Sequence, residues 1–89
     1  MNEKIFKCKN IDDDDVKIEV NLDLLRVREF VTTYNFKGEV ISRNKTVGWW
    51  CAKNKNKLFK ILKNNIGNMD YKTREYYLKF IDRLESEYK

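Results

Sequence analysis

The 89-residue sequence contains no histidine and no proline, only three glycines and two cysteines. Lacking histidine, it cannot build triads that use imidazole as a base, Cys/His zinc sites or imidazole pH switches. Two cysteines are too few for a four-thiolate metal site. The start, MNEKIFKCKN, has no apolar leader, so Cys8 and Cys51 are expected to be reduced thiols serving as core or half-buried small hydrophobes. Gly38, Gly48 and Gly67 are isolated, which excludes a glycine-rich phosphate loop. No window approaches the roughly eighteen apolar residues of a membrane span. The expectation is a cytoplasmic (intracellular) protein with no membrane contact.

What is present suits a folded chain. At 42% hydrophobic and 37% charged, apolar side chains are frequent enough to offset the entropy of ordering. Residues 1–89 are expected to form one small domain, with a modest core and little room for a deep cleft. Cys8, Cys51, Ser42, Ser86 or the threonines could supply a nucleophile, but no spacing links any of them to a base. The expectation is therefore a non-enzyme without cofactor, metal or small-molecule substrate.

Periodicity predicts an α+β fold in which an antiparallel β-meander of about four strands packs against two C-terminal helices. Residues 4–11 place Phe6 and Cys8 on one face of a strand. The run Asp12 to Asp15 reads as a solvated turn, because adjacent like charges repel and aspartate disfavours regular structure. Its acids are contiguous and lack the spacing and glycine of a calcium loop. Val16, Ile18 and Val20 alternate with polar residues as a second strand. Residues 22–34 fit a helix or a strand, and Lys37-Gly38 as a hairpin turn before Val40 decides for a strand. Residues 46–52 fit a strand or the first turns of a helix capped by Thr46; Gly48 and the adjacent tryptophans decide for a strand, with Trp49 in the core and Trp50 facing the other way.

A helix is predicted over about 56–66, with Leu58, Ile61, Leu62 and Ile66 inward and Phe59 at the edge of that face. Gly67 ends it, Asn68 or Asp70 caps the next, and residues about 70–88 form a second helix striped by Tyr77, Phe80, Ile81, Leu84 and Tyr88.

The net charge of +5 lies entirely in the second half: residues 1–46 hold nine basic and nine acidic side chains, residues 47–89 ten and five. From Val40 to Met69 there is no carboxylate at all. A merely solvated helix usually mixes both signs, so this stretch points to polyanion contact. The candidate binding residues are Arg43, Lys45, Lys53, Lys55, Lys57, Lys60 and Lys63, with Trp50 and Tyr76 as aromatic contacts. The expected partner is nucleic acid or a nucleic-acid-binding protein complex. The alternative is a protein-targeting inhibitor or adaptor, of the kind phage or other mobile elements encode to block a host protein surface. A homodimer is compatible with either.

Overall fold

The computed structural model describes residues 3–65 and 69–87. Four strands, β1 (Glu3–Lys9), β2 (Asp15–Asn21), β3 (Arg26–Tyr34) and β4 (Val40–Cys51), precede two helices, α1 (Lys55–Asn64) and α2 (Tyr71–Glu87). The strands form one antiparallel sheet in the order β1-β2-β3-β4. The α+β class and the meander thus follow the sequence pattern.

Three asparagines end the strands and close the turns. Asn10 Oδ1 accepts the N–H groups of Asp12 and Asp14 at 2.9 and 3.0 Å, and Asn35 Oδ1 accepts those of Lys37 and Glu39 at the same two distances. Each side chain substitutes for ladder bonds that the chain cannot make while reversing. Asn21 Oδ1 does likewise for Asp23 and Leu24, so Leu22 to Leu25 form a turn and the third strand begins only at Arg26. The aspartate run divides: Asp12 to Asp14 lie in the turn, whereas Asp15 opens β2.

One face of the sheet carries the core. Phe6, Ile18 and Glu29 lie in one cross-strand row with Gly48, and Val20 and Val27 in the next with Trp50. Against them pack Leu58, Phe59 and Leu62 of α1 and Tyr77, Ile81 and Leu84 of α2. Phe59 is buried while Ile61 is only half-buried, so the inner face of α1 is rotated from the expected one. Tyr77 is fully buried, its ring 5.2 Å from that of Phe6. Asn54 caps α1 by accepting the Lys57 N–H at 2.9 Å, and the Asp70 carboxylate caps α2 through the Thr73 N–H at 2.7 Å, a bond that holds Asp70 below the usual carboxylate range. The expected roles of Ile66, Gly67, Asn68 and Tyr88 lie outside the described residues.

The tryptophan assignment is reversed. Trp50, not Trp49, turns to the helices and packs against the core, while Trp49 is 58% exposed on the other face. The cause is register: Trp50 pairs with buried Val27, and Trp49 with Arg28. Gly48 serves this arrangement, because a Cβ there would run into the six-membered ring of Trp50. The assignment of Cys51 is also corrected: it is exposed, since it follows Trp49 on the open face. Cys8 is half-buried, as expected.

Candidate functional site

The basic segment does not form one surface. Lys53, Lys57 and Lys60 surround a concavity of about 410 Å³ at the junction of β4 and α1, over Cys51, Ala52 and Ile61, and none of its lining residues is a carboxylate. The placement follows from helical spacing: residues 53, 57 and 60 fall on one flank of α1 and its lead-in turn. Lys63 is turned to the other flank, where it meets Glu85 of α2 at 2.7 Å, and that hydrogen bond raises the lysine's pKa. Lys55 lines a separate depression with Asp23, Leu25 and Asn54.

Arg43 and Lys45 lie in the part of β4 remote from α1. Lys45 pairs with Val31 on the helix side of the sheet, whereas Arg43 acts electrostatically on Tyr34, whose hydroxyl bonds Asp15 on the opposite side. Irregular pairing separates them: Asn44, with φ 49°, sits in a bulge where its N–H donates to Thr32 Oγ1 at 3.0 Å. Tyr76 is exposed on the flank of α2 that carries Phe80 and Glu87, the flank meeting Phe6 and Lys4 of β1. Glu85 and Lys63 mark the opposite flank, so α2 lies between Tyr76 and the lysines. Of the nine candidates, the fold gathers Lys53, Lys57 and Lys60 around one concavity, and Lys60 also lines a second one with Lys63 and Glu85.

The open sheet face supplies residues that the sequence reading missed. Ile5, Glu19, Arg28 and Trp49 form one row across all four strands, and Lys7, Lys17, Phe30 and Thr46 the next. The guanidinium groups of Arg26 and Arg28 lie 5.5 and 5.4 Å from the Trp49 ring centre, and Lys17 Nζ lies 4.9 Å from that of Phe30. Arg28 is held by Glu19 at 2.6 Å and more loosely by Glu3 at 3.7 Å. Trp49 is followed on the same face by Cys51, which also lines the lysine concavity. Arg26, Trp49, Cys51 and the three lysines therefore form a continuous strip along the β4 edge. The signal was available as Arg26 and Arg28 alternating with Val27, but only the pairing shows which tryptophan they flank.

Chemically, the described side chains offer charge and rings. Burial, reinforced by Glu29 and Asp70, pushes the Cys8 thiol up to about 11, so it is protonated and a poor nucleophile near neutrality. Among the described residues no group of three or more Cys, Asp or Glu side chains is placed to hold a metal ion. No described helix is long and apolar enough to cross a membrane.

No family model, curated protein or solved structure matches this chain.

Proposed function

We propose that the protein is a non-enzymatic, intracellular binding module that contacts nucleic acid, or a nucleic-acid complex, through the strip Lys53, Lys57, Lys60 and Trp49. The observation carrying this reading is the carboxylate-free concavity ringed by three lysines. Ammonium groups around an apolar floor neutralise successive backbone phosphates, while the exposed indole, flanked by arginine, offers a stacking surface to an unpaired base. Trp49 takes the role that the sequence suggested for Trp50. Binding of this kind follows backbone charge more than base identity.

The test is a salt titration of binding to labelled single strands and duplexes. Each phosphate contact contributes about 0.7 (single strand) to 0.9 (duplex) to the log–log salt slope, so replacing all three lysines by glutamine should lower it by roughly 2 to 3. Lys63→Gln, which removes a lysine already paired with Glu85, should leave the slope unchanged. Salt-insensitive binding, or none at low salt, defeats the proposal.

The open sheet face favours a second reading, the protein-blocking inhibitor or adaptor. Ile5 and Trp49 are both exposed at the two ends of one row, with Glu19 and Arg28 between them, a mix of apolar and charged groups as at a protein contact. A purified partner whose affinity is lost with Trp49→Ala but retained in the triple glutamine variant selects this reading over the first.

A further inference from the structure

On the helix side of the sheet, the described residues of the half nearest the β1–β2 and β3–β4 turns line a groove of about 460 Å³. Its floor includes Cys8, Val16 and Val31, and Trp50, Asn65 and Met69 also line it. Glu29 enters this apolar setting from β3, between core-facing Val27 and Val31, and pairs with fully buried Ile18. Alternation along β3 would place a hydrophobe there. A half-buried carboxylate is costly unless a counter-charge accompanies it.

Within the described residues none does. Glu29 Oε1 accepts one neutral hydrogen bond, from Asn65 Nδ2 at 2.8 Å, and no lysine or arginine forms an ion pair with it. Its surroundings add no positive charge: the Cys8 thiol and the Tyr77 hydroxyl are both raised, first by burial and then by Glu29 itself. Among the described residues the buried Tyr77 hydroxyl has no hydrogen-bond partner, although Glu29 and Cys8 are close enough to act on it. An aromatic wall stands beside the carboxylate as well. Gly48 is the cross-strand partner of Glu29, and the Trp50 ring occupies the space its missing side chain leaves.

A carboxylate and an indole above Cys8, Val16 and Val31, in a groove of ligand size whose walls also carry Asn10, Asn64 and Asn65, are elements that recognise an organic cation. We infer that this groove binds an alkylammonium or alkylguanidinium group, paired with Glu29 and flanked by Trp50. The site adjoins the lysine concavity at Asn64, which lines both, but takes a ligand of opposite charge on different side chains, so it stands or falls independently of the nucleic-acid reading.

The experiment follows NMR shifts of Val31 and the Trp50 indole, with tryptophan fluorescence, as the full chain is titrated with n-butylammonium, n-butylguanidinium, neutral n-pentanol and a blocked tripeptide with arginine at its centre. Saturable shifts in the groove are expected for the cations and not for the alcohol. Saturation by the free cations identifies a small-molecule site. Saturation by the tripeptide alone identifies a side chain presented by another protein. Glu29→Gln, which still offers an acceptor to Asn65, should weaken cation binding about tenfold, the gap between charged and neutral pairing. Glu29→Asp should keep the preference for cation over alcohol, and the triple lysine-to-glutamine variant should bind the cations as the natural protein does. Equal binding of alcohol and cation, undiminished binding by Glu29→Gln, or no saturable shift with any cationic probe overturns the inference.

Discussion

The first and third turns of the meander are built alike and differ at one telling position. In Asn10-Ile11-Asp12-Asp13-Asp14, the Asn10 N–H donates to the Asp14 carbonyl at 3.1 Å and the Asp13 N–H to the Asn10 carbonyl at 3.0 Å. In Asn35-Phe36-Lys37-Gly38-Glu39, the matching bonds are 2.9 and 3.0 Å. The fourth residue of each is left-handed, Gly38 at φ 83° and Asp13 at φ 64°. Glycine holds that conformation freely, whereas an L side chain pays about 1 to 2 kcal/mol, aspartate at the low end. Asp13→Gly should relieve this, offset by the extra freedom glycine gives the unfolded chain, about 0.5 to 1 kcal/mol. The expected net is a stabilisation of up to about 0.5 kcal/mol, at most roughly 2 to 4 °C in Tm for a chain of this size. The reciprocal Gly38→Asp should lower Tm by at least as much. Lys9 Nζ reaches the Asp13 carbonyl rather than its carboxylate, so the substitution spares that contact. Thermal unfolding at low and high salt separates strain from charge, because repulsion among Asp12, Asp13 and Asp14 is screened and backbone strain is not. Asp12→Asn, which removes one charge without touching the left-handed residue, is the control. If Asp13→Gly lowers Tm, or its gain vanishes in high salt and equals that of Asp12→Asn, the strain argument is wrong.

Gly48→Ala should destabilise the fold by about 1 to 3 kcal/mol, the usual cost of overpacking, because the new methyl displaces the Trp50 ring from the core; chemical denaturation together with Trp50 fluorescence measures this, and an unchanged midpoint refutes it. The two thiols should differ in reactivity: exposed Cys51 alkylates readily near neutrality, while half-buried Cys8 lags until the pH approaches 11, as mass spectrometry of quenched iodoacetamide reactions would resolve. The same shift has a stability sign. The folded pKa lies above the ordinary 9.0, so the contribution of Cys8 is complete below pH 9 and is lost as pH rises from 9 toward 11, a loss that Cys8→Ala should abolish.

Much of the fold was legible in the chain because the signals are local. Val16, Ile18 and Val20 alternate, the aspartate run and Lys37-Gly38 mark where the chain reverses, and Tyr77, Ile81 and Leu84 recur at helical spacing; each works through neighbours a few residues away. Helical spacing likewise put Lys57 and Lys60 on one arc, but it placed Lys63 with them, whereas Lys63 meets Glu85 and Lys53 joins the other two. The roles of Trp49 and Trp50 were not, since two adjacent residues of a strand face opposite ways and the side that becomes core depends on the pairing partner. Arg43 and Lys45 separated because a bulge at Asn44 interrupts the alternation that sequence spacing assumes.

The sequence by itself determined the order of strands and helices, the positions of the first and third turns and the absence of imidazole chemistry, all of which are properties of short stretches or of composition. Only the tertiary structure decided which tryptophan is exposed, that Lys63 is paired with Glu85, and that Glu29 lies half-buried against Trp50. Those outcomes depend on contacts between residues far apart in the chain, and no local pattern encodes the partner that a side chain meets once the sheet and helices close on each other.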